Sequence, residues 1–565
     1  MKKLIALILT LAIAISLAAC TAADEETKPT GIEPVGTEGT EPSVEATEPV
    51  ADGPKYGGHL NARTTSKMAY LDPLKTTGSW NYQWLTAVYE PFITRDSDYT
   101  ICPAVCDFEL SEDKLDLKLW PREGYIFSHG YGQVEMDDIV ASWNRGTTLY
   151  ANCKKFIGDL TEYAQVETID GKEVFHVKFK EYNEKTLYYL ATYRTWFPVM
   201  PKEICEKYAE DYIKDTMEDA VGTGPYIITE HQEGVQVTLT KRDDYVPVDN
   251  SMYKDIAGTK YGYMDSMTFW YNGNDASAAT ALLAGDYDCT EVLPLEYAAM
   301  AEEEGIALSK LPSDQRCWMH FNTYGSNNLC AKYPALRKAI MSAIDYASFL
   351  EIITDDSYIM EGDTIVLLEQ YDLTEQFKAA DYYGPANQEA VDKYLAEARE
   401  QGWNDEPIQL VLSASRNDVP VMLSDSLKTA GIPYELTTME EGAYSDFRGD
   451  PENNWDFYFA WGVTGLTPGL IQDSVIKNYW KNEEKEELRS KLLVTDSDSQ
   501  EYMDTWQDIV DMWIDDCASV YMSAIDWWWW HPETLHFNDA FDGNDVQRYM
   551  FNAYWEDPEN HPKKQ

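Results

Sequence analysis

The chain predicts a mixed α/β fold built from more than one domain. Three observations carry that reading. Its 565 residues exceed what one core organises, and roughly 100–200 residues per domain suggest two or three domains. Strand-like and helix-like periodicities alternate along the chain. Apolar residues make up 44% and aromatics 13%, with 18 Trp and 39 Tyr, a content that a disordered chain does not carry. The formal net charge is −53. Such a surface repels nucleic acid and anionic lipid, which sets aside a nucleic-acid function.

The first segment reads as an address. Met1-Lys2-Lys3 is basic, and a largely apolar run of sixteen residues follows from Leu4 to Ala19. The run is short for a spanning helix and fits a signal-peptide core. Leu17-Ala18-Ala19-Cys20 resembles the bacterial lipobox, whose cysteine receives lipid and becomes the mature N-terminus. An ordinary secretory signal with an incidental Cys20 is the alternative. Residues 21–55 then read as a tether. They hold nine acids against Lys28 and Lys55, with many Thr, Pro and Gly and no aromatic. Such a segment buries too little apolar surface to offset its ordering entropy. It reaches about 30–35 Å as a flexible coil and about 110 Å fully extended.

The globular elements follow. Val235, Val237 and Leu239 alternate with polar residues and predict a half-buried strand, and Met267 to Tyr271 predicts another. Leu336, Ala339, Ile340, Ala343 and Ile344 recur at helical spacing behind Pro334, a good first helical residue. A second helix runs from Asn387 to Gln401 and stops at Gly402. Tyr502, Met503, Trp506, Ile509, Val510 and Trp513 form one apolar face of a third. No internal repeat is visible.

Eight cysteines lie beyond Cys20, scattered without a scaffold framework. Cys102 and Cys106 lack a second Cys or His pair that would complete a zinc site. Gly-x-Ser-x-Gly, His-Glu-x-x-His and phosphate-loop motifs are absent. The eight His are scattered. The sequence calls for no catalytic residue, no cofactor and no metal. Carboxylates are so numerous that a glycosidase pair stays open, which keeps a secreted glycoside hydrolase as a rival.

Several segments, in order, carry a resemblance. They are Tyr56-Gly57-Gly58-His59-Leu60, Leu71-Asp72-Pro73, Val88-Tyr89-Glu90-Pro91-Phe92, Pro103-Ala104, and Arg122 through Gly130 running on to Asp137-Asp138-Ile139-Val140-Ala141-Ser142-Trp143. Later come Gly222-Thr223-Gly224-Pro225-Tyr226, Ala284-Gly285-Asp286-Tyr287-Asp288, Phe321-Asn322-Thr323 and Leu336 through Asp345. Over about 56 to 555 the chain resembles the extracellular solute-binding proteins of family 5, the oligopeptide, dipeptide and nickel-type receptors of ABC importers. Local physics reads most of these motifs as structural. Gly222, Gly224 and Pro225 suit a sharp turn, and Asp137 suits the cap of the helix carrying Ile139, Val140 and Trp143.

The resemblance implies an α/β, two-lobed periplasmic-binding-protein-like fold with a hinge, the ligand lying between the lobes. The implied organisation is a lipoprotein signal peptide (1–19), a lipidated Cys20 and acidic linker (20–55), lobe I (56–312 plus 501–565) and lobe II (313–500). The crossing strands fall near Gln315–Asn322 and Ser519–Trp530. In peptide-binding members the ligand lies between two segments. The first follows the early Asp-Pro, here Lys75 to Trp80, and places Thr77, Ser79 and Trp80 at the ligand. The second is a Trp-x-x-Asp-x-x-x-Pro loop whose Asp binds the peptide amine. It matches Trp461-Gly462-Val463-Thr464-Gly465-Leu466-Thr467-Pro468.

Thr464 stands where that Asp is expected. A hydroxyl accepts a hydrogen bond but supplies no counter-charge, and charged hydrogen bonds are roughly twice as strong. Asp446 and Asp456 are the nearby acids that substitute, if any does. Trp80, Trp318 and Trp461 are expected at the cleft, where aromatic faces stack on sugars as well as on peptides, whereas Trp84 reads as core. Of the four rings Trp527 to Trp530, alternate ones face opposite sides of a strand.

The expectation is therefore a non-enzymatic substrate-binding lipoprotein, a monomer held through lipid on Cys20. It captures an oligopeptide, or alternatively an oligosaccharide, and delivers it to an ABC permease. Few His and no Met/His cluster argue against nickel or haem. The long acidic tether points to the outer leaflet of a Gram-positive cytoplasmic membrane rather than to a periplasm.

Overall fold

The computed structural model describes residues 53–75, 81–96, 100–191, 197–291, 293, 297–311, 315–354, 374–413, 418–450, 452–463, 480–497, 499–524, 527–537 and 549–561. Residues 1–52, Cys20 among them, lie outside these, as do Thr77, Ser79, Trp80 and Thr464.

Two large apolar cores organise the chain from Gly53 onward. The first draws on residues between Leu60 and Cys289 and again between Trp529 and Trp555. One of its sheets places the strand His59–Thr64 parallel to Ser266–Tyr271, with Gln236–Lys241 and Tyr226–Gln232 added antiparallel. A second sheet is an antiparallel set in the order Cys106–Leu110, Asp116–Pro121, Lys172–Phe179, Thr161–Ile169. The strand predicted around Val237 and Leu239 is the run Gln236–Lys241, with both of those residues buried.

The second core draws on residues between Trp318 and Met522. Its sheet has the order Tyr434–Met439, Ile408–Ser413, Phe457–Val463, Gln315–Phe321, Ser519–Ala524. The helix Pro334–Ala343 starts on Pro334 as predicted and buries Leu336, Ala339 and Ile340. Asn387 caps the helix Gln388–Glu400 by accepting from the Ala390 N–H. The helix Gln500–Asp516 buries Tyr502, Trp506, Ile509, Val510 and Trp513. That apolar face packs into the second core, so the chain does not return to the first region at 501, as the sequence reading placed it. It stays with the second core through Met522 and rejoins the first at Trp529.

The sequence motifs act as internal fasteners. Asp72 of Leu71-Asp72-Pro73 is fully buried and pairs with Arg145, which is buried beside it. The Asp72 carboxylate also accepts the Leu74 and Ile213 N–H groups at 3.0 Å. Arg145 in turn donates to the carbonyls of Tyr208 and Asp211. Glu90 of the Tyr-Glu-Pro motif accepts from the Thr223 hydroxyl at 2.7 Å and pairs with Lys260 at 3.2 Å.

Two local readings change. A Cβ on Gly222 would sit 2.0 Å from the Val88 carbonyl oxygen, and one on Gly224 would sit 2.4 Å from that of Ala87. Neither glycine has a positive φ. Close approach to the helix Tyr82–Val88, rather than a left-handed turn, therefore demands glycine at both positions. The helix Met136–Leu149 is capped by Glu135, whose N–H donates to Asp138 at 2.8 Å. Asp137 lies inside the first turn and pairs with Lys202. Among the described residues Cys102, Cys106, Cys153, Cys205, Cys330 and Cys517 are buried thiols without disulfides.

Candidate functional site

The two cores are joined by a ribbon. The strand Ile306–Leu311 pairs antiparallel with Trp527–Pro532, Leu311 opposite Trp527. A few residues on, Gln315–Phe321 pairs antiparallel with Ser519–Ala524, Arg316 opposite Ala524. The outgoing and returning chains thus cross side by side. Two adjacent strands of this kind bend together more easily than two packed cores deform.

On the first-core side, the ribbon meets the end of the strand His59–Thr64. Thr290 and Trp530 exchange backbone hydrogen bonds at 3.0 and 3.1 Å. Arg63, fully buried, donates to Asp275 at 2.5 Å, to the Asn272 carbonyl at 2.8 Å and to the Thr290 hydroxyl at 3.4 Å. These contacts lock the segment 288–291 against the strand.

Glu291 comes next, 1% exposed. One of its oxygens accepts the Thr65 N–H at 2.5 Å. The other faces the amide nitrogen of Gln83 at 3.4 Å. Gln83 is itself fully buried on the helix Tyr82–Val88. With its nitrogen turned to the carboxylate, its amide oxygen meets no hydrogen-bond donor among the described residues. Burial pushes the Glu291 carboxyl up to about 7, against the downward pull of Arg63 and of the Thr65 and Gln83 hydrogen bonds. The desolvation of the charge outweighs the attraction. The result is a buried pair of acceptors, Glu291 and Gln83, with Thr65 and Gln83 flanking in sequence the segment Lys75 to Trp80 that the sequence reading placed at the ligand.

The named site residues fare differently. Trp318 is 0% exposed and stacks on Trp513 at 5.7 Å inside the second core. A ring sealed on both faces offers no platform, so Trp318 is a core residue and not the cleft ring that the sequence reading expects. Trp461 and Gly462 lie on the strand Phe457–Val463, opposite Cys317 and Arg316, one strand in from the ribbon. Trp84 is core, as read, with its indole N–H on Asn81. Trp529 and Trp530 are both buried, one in the first core and one in a satellite cluster with Leu282 and Ile306.

Asp456 does not serve as a spare recognition acid. It is 1% exposed and accepts the Gln409 and Cys330 N–H groups at 2.7 and 2.9 Å. Asp446 is exposed on the helix Glu441–Gly449. His320, beside the ribbon, hydrogen-bonds Ser519 at 2.7 Å, and burial lowers its imidazole to about 3, so it stays neutral at physiological pH.

Comparison with known proteins follows the same architecture. The family model described as bacterial extracellular solute-binding proteins, family 5 Middle, matches residues 100–482. The chain is 21% identical over 509 residues to the oligopeptide-binding protein AppA of Bacillus subtilis (strain 168), covering 83% of this chain and 87% of that one. Among solved structures, the ABC transporter substrate-binding protein CtaP from Listeria monocytogenes superposes with a TM-score of 0.71 at 19% identity, covering 89% of this chain and 100% of that one. DppA from Helicobacter pylori, in complex with the peptide STSA, superposes with a TM-score of 0.67 at 17% identity, covering 89% and 99%. Both are two-lobed binding-protein folds, which the two cores and their connecting ribbon reproduce.

Proposed function

The chain belongs to the bacterial extracellular solute-binding proteins of family 5, and from that premise we propose that it captures an oligopeptide between its two lobes and hands it to an ABC permease. It is a binding protein and not an enzyme, so the secreted-hydrolase alternative falls away. The relatives whose names speak of oligopeptides, and the neighbour holding a tetrapeptide, support the ligand class. The observation that carries the mechanism is the two-stranded ribbon between separate cores. In this reading lobe I is 56–312 together with the chain after about 525, and lobe II is the stretch between. Closure about the ribbon encloses the solute.

The test is equilibration of the exported protein with a peptide pool and a glycan pool. Species that bind only the folded state raise the melting temperature with concentration, following RT ln(1 + [L]/Kd). The peptide pool is expected to do so, and X-ray scattering is expected to show compaction. Stabilisation by glycans alone replaces peptide with oligosaccharide. Turnover of the bound species at an enzyme's rate removes the receptor reading.

We further propose that lipid on Cys20 anchors a monomer to the outer leaflet of the cytoplasmic membrane in a Gram-positive cell, with residues 21–55 as the spacer. One acyl chain binds a membrane only marginally, so stable anchoring takes a second chain on the same terminus. Cys20→Ala is expected to appear in the medium or to remain unprocessed on fractionation. A processed Cys20→Ala protein still sedimenting with membranes contradicts the anchor.

A further inference from the structure

We propose that Glu291 and Gln83 form the recess that takes a protonated amine of the captured solute, a role that the family motif assigns to the other lobe. The inference rests on the receptor reading above and names a chemical feature of its ligand.

Both groups are buried acceptors at one place. Glu291 accepts one short hydrogen bond from the Thr65 backbone and a long one from Gln83. A carboxylate has about four lone-pair positions, so half of its capacity is open. The Gln83 amide oxygen is fully buried and meets no donor among the described residues. A buried acceptor without a donor costs free energy, and a donor brought by a ligand is one way to satisfy it. An ammonium supplies three N–H donors and the positive charge that the carboxylate needs.

Position supports the assignment. Thr65 opens the segment between the first strand and the helix Tyr82–Val88, and Glu291 follows the Thr290–Trp530 bridge at the ribbon. Glu291 therefore lies on lobe I, one residue from the ribbon. The charged neighbour on the first strand, Arg63, is already committed to Asp275 at 2.5 Å. It does not neutralise Glu291 outright, and burial still lifts that carboxyl. A threonine at 464, in place of the motif's acid, supplies no counter-charge from its own side chain, and in this proposal Glu291 supplies one from lobe I.

The experiment compares a random tetrapeptide pool with the same pool N-acetylated, each equilibrated with wild type and with Glu291→Gln. Native mass spectrometry reads the retained species. Wild type is expected to retain the free-amine pool about tenfold or more over the acetylated one, and Glu291→Gln to lose that preference. Equal retention of both pools by wild type, or an unchanged preference in Glu291→Gln, overturns the assignment while leaving a peptide receptor standing. If neither pool is retained, the peptide reading falls, and 1,4-diaminobutane decides the recess. It is expected to raise the melting temperature of wild type but not of Glu291→Gln, and an absent or equal rise overturns the inference. Melting of the unliganded variant at pH 6 controls for folding.

Discussion

Arg145→Ala is expected to lower the unfolding midpoint of the first lobe sharply, by about 3–5 kcal/mol in free energy. The reason lies with the partner that remains. Asp72 is fully buried, and its carboxylate is held by the Arg145 guanidinium and two backbone N–H groups. Deleting the guanidinium leaves a desolvated charge with only neutral donors around it. It also leaves the Tyr208 and Asp211 carbonyls without the N–H groups they now accept. The double variant Asp72→Leu/Arg145→Met removes both charges and is expected to recover much of the loss, since an apolar pair of similar volume often matches a buried ion pair. Chemical denaturation followed by Trp fluorescence reads both. A multi-lobed chain need not unfold in one step, so the first transition is the quantity compared. A single variant that unfolds with wild type would mean that the pair is solvated.

This pair also shows what a sequence discloses. Leu71-Asp72-Pro73 and the helix carrying Trp143 and Arg145 are visible as motifs, but their mutual contact spans 73 positions. The helices around Leu336, Ala390 and Trp506 are legible because periodicity suffices, helped by the start signal at Pro334; the structure adds Asn387 and Ser499 as caps of the other two. What such a helix packs against is not local information. The face of Tyr502, Trp506 and Trp513 announces burial without saying in which lobe, and the structure seats it in the second rather than in the returning part of the first. Trp318 failed for a related reason. A ring on a crossing strand fits a cleft wall and a core equally well until Trp513 is seen stacked on it. The glycines of Gly222-Thr223-Gly224-Pro225 were read as structural, correctly, but for a turn. The actual demand is the passage of the helix Tyr82–Val88 at backbone contact, which only the tertiary structure shows. Glu291 was missed altogether. A lone acid in Thr-Glu-Val-Leu-Pro reads as solvated, and its burial is decided by Thr65 and Gln83, 226 and 208 positions away.

That buried acid sets the second large effect. In the folded chain the Glu291 carboxyl is lifted from its ordinary 4.5 to about 7, chiefly by burial. The folded state therefore holds the proton more tightly than the unfolded state does. Its contribution to stability is complete below pH 4.5 and is lost as pH rises through about 7. At about 1.4 kcal/mol per unit of displacement, the loss across that window is about 3 kcal/mol. Glu291→Gln keeps the shape and one acceptor oxygen for the Thr65 N–H but carries no proton to lose. The variant is expected to track wild type near pH 4.5 and to exceed its stability near pH 7.5, with the two curves separating between. Denaturant midpoints at half-unit pH steps give the comparison directly. Other groups titrate in the same window, but they are common to both proteins and cancel in the difference. A cation seated on Glu291 reverses the balance by favouring the charged form, so a bound amine is expected to close the gap at pH 7.5. Curves that stay parallel across the window would show that Glu291 is ionised and well solvated in the fold, and the recess would lose the charge economy on which amine capture depends.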